Sequence, residues 1–364
     1  MSETIKIKHI IENVLSGNRL SVNDAVYLFR KADLFTLGDA SYEFKTNIHK
    51  EKVYWRKDIN INPTNICVSR CGFCSFRKNK SDKEAYMLTV EEVLNKVIKS
   101  KKMGINEIHV VGGLNRDCDL HYFRELFAGI KKIDSALFIQ ALTAVEMNFI
   151  SKVSKIDLKD TIKILKSSGL DLMPGGGSEI FNGTIRNLMM ATKIGKDAWI
   201  NVHKIAHESG LLTNATMLYG HVETDLSVIE HMNIIRNAQD MHPGFLAFVP
   251  LSYNIKNNIL SKRYDLKGSS GLYDLRIVAL SRLFFDNIKH IKLPWVSISK
   301  EVASVSLSFG VDDIGGTAYE ERIIDAAGGG TWENVTEKPD LPDIISNSGF
   351  VPVLTNSGYQ GVDE

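Results

Sequence analysis

Three of the chain's four cysteines fall within eight residues, Cys67, Cys71 and Cys74 of "CVSRCGFC", and the fourth, Cys118, stands far downstream. Thiolates are soft ligands that bind metals or act as nucleophiles. An odd, crowded set cannot pair off internally, so these residues point to metal or thiolate chemistry and away from a secreted disulfide framework. A structural zinc site wants four ligands in two pairs. Here no second pair follows, and zinc would have to borrow Cys118 or His109 from the next unit. A fully ligated iron–sulfur cube takes four thiolates. Three on one tight loop would leave one iron with the open position that reactive metal sites keep.

The elements that must position this loop follow a regular order. "VYWRKDININ" reads as a strand ending at the cysteines, "TVEEVLNKVIKSKKMG" as a helix capped by Thr89 and stopped by Gly104, and "EIHVVGG" as the next strand. Strand and helix patterns continue to alternate through "LFIQALTA", "LDLMPGGG", "LTNATMLYG", "FLAFVPLS" and "IKLPWVS" to "VDDIGG". About eight such pairs imply a parallel sheet and suit a closed (β/α)8 barrel, an α/β fold of TIM type whose strand ends converge on one face. An open doubly wound sheet is the alternative. Before the barrel, "LSVNDAVYLFRKAD" with Ser21 as cap and "LGDASYEFKTNIHK" predict a helical layer. After it, a tail rich in Pro, Gly, Ser and Asn is expected to wrap the barrel or cover its mouth. The expected division is an N-terminal helical extension over 1–53, the barrel over 54–316 and a C-terminal extension over 317–364.

Composition narrows the partners. A net charge of +1 argues against nucleic acid or a membrane surface held by bulk electrostatics, which leaves a small molecule. No run of about 18 apolar residues appears. The start of the chain lacks the basic, apolar and small-residue pattern of a signal peptide, so a cytoplasmic protein is expected.

With Phe73 just before the last cysteine, and the loop following the first strand of a (β/α)8 chain, C67-x3-C71-x2-C74 resembles the radical S-adenosylmethionine superfamily. The resemblance implies a [4Fe-4S] cluster held by Cys67, Cys71 and Cys74, with S-adenosylmethionine chelated at the open iron and cleaved to a 5′-deoxyadenosyl radical. It places Phe73 near the adenine, and the backbone of Gly112 and Gly113 at the methionine amine. "VVGGLN", "LTAVEM", "LDLMPGGGSEIF", "TNATMLYGH", "FDNIKHIK" and "FGVDDIGGTAYEE" look like the menaquinone and deazaflavin branch, and "TAVE" and "GGL" look most like its aminofutalosine synthases. That likeness implies an aryl enol-ether dicarboxylate as substrate and a one-electron donor such as flavodoxin or ferredoxin. The dehypoxanthine futalosine cyclase of the same pathway is the same-class alternative. An iron–sulfur redox sensor or electron carrier is the other, though a carrier needs neither a barrel nor a missing ligand. Where the branch has His-Pro after "GGL", this chain has Asn115 and Arg116, so no histidine role carries over there.

Other residues are weighed on their chemistry. Glu146 is a candidate for the ribose or the substrate, or else a helix cap. "PGGGSE" (Pro174 to Glu179) could form a nest of N–H groups for a carboxylate. Arg186, Arg282 and Arg70 are candidates to hold a dicarboxylate by paired bonds, Arg282 alternatively as a salt-bridge partner. His221 could donate a proton. Asp312 and Asp313 are expected to cap or pair, His203 and His207 have metal-compatible helical spacing on a helix expected outside the barrel, and Cys118 is expected to be a free thiol.

Overall fold

Alternate residues of the short strands point to opposite faces, so each strand that closes a barrel sends every second side chain into its interior. The strands are β1 (Lys52–Arg56), β2 (Asp58–Ile61), β3 (Glu107–Val110), β4 (Phe138–Ala141), β5 (Leu172–Met173), β6 (Leu212–Tyr219), β7 (Phe245–Ser252), β8 (His290–Ile291), β9 (Asp313–Gly316) and β10 (Val351–Leu354). This is a computed structural model, and it describes residues 2–328 and 340–361. β2 to β8 form one parallel sheet in chain order. β9 reaches β8 through the bridge Lys292↔Asp313, and the residues just after it reach β2 through Ile59↔Tyr319. The (β/α)8 barrel is therefore present, with seven strands in a continuous sheet and the eighth joined by single bridges. The strand order never reverses, which excludes the doubly wound sheet.

The helices between strands are capped as their sequences dictate. Thr89 and Glu92 form a reciprocal capping box at the start of Val90–Lys101. Gly104 adopts the left-handed conformation, φ 73°, that ends that segment. Three N-terminal helices, Glu3–Leu15, Val22–Lys31 and Leu34–His49, form the expected layer, the second capped by Ser21 onto the Asp24 N–H at 3.1 Å. No helix among the described residues is long and apolar enough to cross a membrane.

"VYWRKDININ" is two strands, because its halves have different neighbours. β1 lies between β10 and β9, whereas β2 enters the barrel sheet beside β3. Lys57 makes the break, donating its N–H to Asn106 Oδ1 at 3.0 Å and accepting from Asn106 N–H at 2.8 Å. Of the expected extension, residues 340–361 wrap to the base, while Ile323, Ile324 and Ala327 line the cavity at the other end. β10 extends β1, and Ser357 Oγ then reaches Glu107 Oε1 at 2.7 Å and Gln140 Oε1 at 2.9 Å. Tyr359 stacks on His290 with ring centroids 3.5 Å apart, and its hydroxyl donates to Asp313 at 2.7 Å. Residues 329–339, part of the expected wrap, lie outside the described residues.

One buried histidine ties the barrel to the glycine loop that follows β5. His231 Nδ1 accepts the Phe181 N–H at 3.2 Å, and Nε2 donates to the Thr216 carbonyl at 2.9 Å, which fixes a neutral tautomer. Burial pushes this imidazole down to about 3. The unfolded chain therefore takes up a proton that the folded chain refuses between about pH 6.5 and 3, and stability falls as pH drops through that window. Urea unfolding at pH 7, 6 and 5 should show His231→Gln flattening the pH slope by up to about 1.4 kcal/mol per unit at the acidic end. An unchanged slope would mean that His231 titrates freely.

Candidate active site

The cysteine loop is pinned on several sides. The Asn65 side chain donates to the Glu84 carbonyl and accepts the Tyr86 N–H, both at 2.8 Å, closing the base of the 64–88 excursion. The Cys67 N–H bonds to the Lys78 carbonyl at 3.2 Å and the Val68 N–H to the Leu114 carbonyl at 3.0 Å. Gly72 donates to the Met189 carbonyl at 2.8 Å and accepts from the Leu260 N–H at 2.9 Å, so two other barrel loops grip the turn.

Cys67, Cys71 and Cys74 all line one cavity of about 330 Å³ at the C-terminal ends of the strands, and Phe73, Gly112, Gly113 and Glu146 line it too. The three sulfurs do not lie mutually within 4.8 Å. A single zinc ion with Zn–S bonds of about 2.3 Å would draw them to roughly 3.8 Å apart, whereas separate irons of a cube need them spread. Burial raises the Cys67 and Cys74 thiols, so deprotonation there calls for a cationic partner. Three cysteine side chains lining one cavity are a donor set that suits an iron–sulfur cube bound through three thiolates. Cys118 is buried away from this cavity, with its thiol pushed up to about 12 by burial.

Gly112 and Gly113 are required by close approach. Neither has positive φ. A Cβ on Gly113 would lie 2.3 Å from the Ile66 carbonyl oxygen and one on Gly112 3.1 Å from that of Thr64, so the turn after β3 packs directly on the cysteine loop. Gly113 donates to Thr64 O at 2.8 Å and Gly112 to Glu146 Oε1 at 2.9 Å. Their carbonyls accept no hydrogen bond from the described residues.

The cap reading of Glu146 holds, and the same carboxylate also reaches the cavity wall. It starts a helix, Ala144–Ser154, that the apolar pattern hid, and its Oε2 accepts from Thr143 N–H and Oγ1 at 2.8 and 2.7 Å in a capping box. The other oxygen secures Gly112 at the cavity wall. Burial raises this carboxyl above its ordinary value, against the hydrogen bonds from Gly112 and Thr143.

Past a collar that includes Val111, Thr143, Gly176, Leu251, Ile323 and Ile324, the cavity continues into a second lobe of about 240 Å³ in the barrel lumen. Inward positions of successive strands line it: Asp58 and Asn60 of β2, His109 of β3, Gln140 of β4, Asn214 and Thr216 of β6, and Lys292 after β8. Asn60 donates to Glu321 and accepts from His109 Nδ1 at 3.0 Å, so the unpartnered Nε2 of that ring is an acceptor. Burial pushes the Glu321 carboxyl up to about 7.

The remaining sequence candidates are elsewhere. "PGGGSE" is not an open nest, since the Gly177 N–H goes to Glu179's own carboxylate at 3.3 Å. Lys193 holds Glu179 at 3.0 Å beside the cysteines, a pair that the sequence reading missed because lysine after a loop helix is common. Burial works to raise the Glu179 carboxyl and the Lys193 ammonium overrides it. Arg186 is a strut, donating to the Ser178 and Ile194 carbonyls. Arg70 lines neither lobe. Arg282 is fully buried near the base, donating to Gly310 O at 2.8 Å, Lys289 O at 2.9 Å and Asp312, so each of its three nitrogens is engaged by the scaffold and it lines neither lobe. Asp312 also accepts from His290 Nδ1 at 2.6 Å, and Asp313 pairs with Arg56. His221 is turned inward, its Nε2 on the Leu218 carbonyl at 2.9 Å and Nδ1 3.0 Å from Glu223, outside both lobes. His203 and His207 share the Thr213 hydroxyl at 2.9 and 2.8 Å.

Residues 61–235 match the family model "Radical SAM superfamily", and residues 242–364 match "CofH/MqnC C-terminal region". The chain is 37% identical over 354 residues to aminodeoxyfutalosine synthase of Thermus thermophilus, covering 97% of this chain and 95% of that one. It is 35% identical to 5-amino-6-(D-ribitylamino)uracil–L-tyrosine 4-hydroxyphenyl transferase of Methanococcus maripaludis, over 91% and 92% of the two chains. Among solved structures it resembles methylornithine synthase, with a TM-score of 0.75 at 16% identity over 94% of this chain and 97% of that one.

Two substitutions separate site from scaffold. Gly113→Ala should keep the circular dichroism of the native fold yet bind at most half the iron and sulfide after anaerobic reconstitution, because its methyl group displaces the Ile66 backbone and with it the Cys67 side chain. Arg282→Met should keep full iron loading but lower unfolding stability by about 3–5 kcal/mol, since it strands Asp312. Retained stability with lost substrate affinity would instead place Arg282 at the ligand.

Proposed function

The chain belongs to the radical S-adenosylmethionine superfamily, and on that footing we propose that it transfers the 5′-deoxyadenosyl group of S-adenosylmethionine to 3-[(1-carboxyvinyl)oxy]benzoate, with loss of one carboxyl carbon, giving 6-amino-6-deoxyfutalosine on the futalosine route to menaquinone. Members of this superfamily work with a [4Fe-4S] cluster and S-adenosylmethionine, which when bound supply the 5′-deoxyadenosyl radical. Cys67, Cys71 and Cys74 hold the cluster in this reading, and Phe73 packs on the adenine. The carbonyls of Gly112 and Gly113 receive the methionine amine. Glu146 is a positioning residue, fixing Gly112 through one oxygen and the start of its helix through the other. Reducing equivalents come from a flavodoxin- or ferredoxin-type donor.

The observation that carries this reading is the join between the lobes. The thiol-lined lobe opens directly into a polar lumen, so a second reactant can meet the adenosyl group without either crossing bulk solvent. Full-length likeness to aminodeoxyfutalosine synthase supports the choice of enol ether. A second reading, transfer of the hydroxyphenyl group of tyrosine to a ribitylaminouracil, is favoured by the likeness to the Methanococcus enzyme.

Reconstituted, dithionite-reduced protein given S-adenosylmethionine and the enol ether should yield an adenosyl adduct lacking one carboxyl carbon, read by mass. Product only with tyrosine and 5-amino-6-(ribitylamino)uracil, or only with a dehypoxanthinylated futalosine, would replace the enol ether as substrate. Failure to cleave S-adenosylmethionine with any of them would sink the enzymatic reading. Cys71→Ala should lose the cluster's visible absorbance and the turnover together.

A further inference from the structure

The inner lobe contains an ammonium that no carboxylate of the described residues contacts directly, although Asp313, Glu107 and Asp58 lie within electrostatic reach. Lys292 follows β8, lines the lumen, and among the described residues its Nζ makes no hydrogen bond and no ion pair within 4.0 Å. The other enclosed cations near the two lobes each have a direct partner: Lys193 has Glu179, Arg56 has Asp313 at one of its nitrogens, and Arg186 has loop carbonyls. A lysine ammonium has three donors and no acceptor, and enclosing it unpaired is expensive. Burial and the neighbouring Arg56 accordingly push it below its ordinary value, against the pull of Asp313, Glu107 and Asp58.

Its surroundings specify the missing group. Asp58 is engaged by the Ala318 N–H at 2.6 Å and Glu321 by Asn60 and the Ile323 N–H, so neither acid swings to the lysine without breaking those bonds. The lobe that Lys292 lines is also lined by the apolar Pro294, Trp295 and Val249, with the indole N–H engaged by the Gly316 carbonyl at 2.7 Å. Apolar and aromatic lining together with an ammonium that no side chain contacts suits a ring bearing an anion.

We propose that the inner lobe binds an aryl carboxylate, with Lys292 as the carboxylate's anchor at the end away from the cysteines. The lobe order then sets the register. The ring carboxylate meets Lys292, the ring lies along Trp295, and the substituent on the ring passes the collar toward the thiol-lined lobe. Lys292 is thus a specificity-determining residue for the proposed reaction, and only the identity of the ring's substituent rests on that reading.

The test uses Lys292→Met and Lys292→Arg in reconstituted full-length protein, with benzoate as a binding probe. Benzoate should raise the melting temperature of wild type and of Lys292→Arg but not of Lys292→Met, while benzyl alcohol discriminates none of them. With the enol ether, Lys292→Met should raise KM about 10-fold or more, the loss of one charge-assisted contact. Its circular dichroism and its iron and sulfide loading after reconstitution should match wild type, which excludes misfolding. The phenyl ether lacking the ring carboxylate should show no difference between wild type and Lys292→Met. Benzoate binding that depends on Lys292 without any enol-ether product would uphold this site and reject the proposed reaction. Enol-ether turnover with an unchanged KM in Lys292→Met, or no benzoate-dependent shift in wild type, would overturn the anchor.

Discussion

Everything in this protein depends on keeping a barrel hollow. Barrels of this class usually fill their interiors with layers of branched apolar side chains. Here the inward positions include Asp58, Asn60, His109, Gln140, Asn214 and Thr216 beside apolar residues such as Val249 and Leu251, and the polar groups, tied to fixed partners, keep the lumen open. A polar lumen in a low-dielectric fold is tolerable only if its groups are paired or await a ligand and if one end is closed. The base is closed by the buried Arg56–Asp313 pair, by Ser357 bridging Glu107 and Gln140, and by Tyr359 stacked on His290. The C-terminal segment is thus a plug, and its closure of one end directs any ligand to enter past the cysteines.

That closure explains why the cysteine loop is held so firmly. With the base sealed, the mouth must admit two reactants and still enclose them, so its loops brace one another. Gly113 under Ile66, Gly72 between Met189 and Leu260, and Glu146 on Gly112 each use backbone contact, which tolerates little displacement. The polar collar residue Thr143 belongs to both the helix cap and the join between lobes. Local capping chemistry and the geometry of the site are at that point one feature.

Much of this was legible in the chain. The strand and helix alternation carried the barrel, and the cysteine spacing carried the open-iron chemistry, because both rest on local pattern. Long-range partners were not legible. Arg282, Arg186 and His221 look like site residues by type and position, but each meets acceptors distant in sequence or hidden by a turn. The helix Ala144–Ser154 was signalled by Thr143 and Glu146 three residues apart, a capping box masked by the apolar run around it. The lumen had a signal too. "DININ", "EIHV", "FIQA" and "TNAT" put a polar residue at alternate positions of strands that should be apolar throughout if the barrel were filled.

The contrast between the arginines and Lys292 follows from the shape of their head groups. A guanidinium presents five donors in a rigid plane, so inside a fold it is best satisfied by several fixed carbonyls and becomes a strut, as Arg186 and Arg282 do. An ammonium on a flexible stem fixes nothing by itself and can follow an anion that arrives later. In a barrel whose walls are already braced by arginines, the ligand-directed charge falls to the one enclosed cation among these that the scaffold does not use. Its place beyond the collar makes that charge the far end of a ruler whose near end is the cysteine loop.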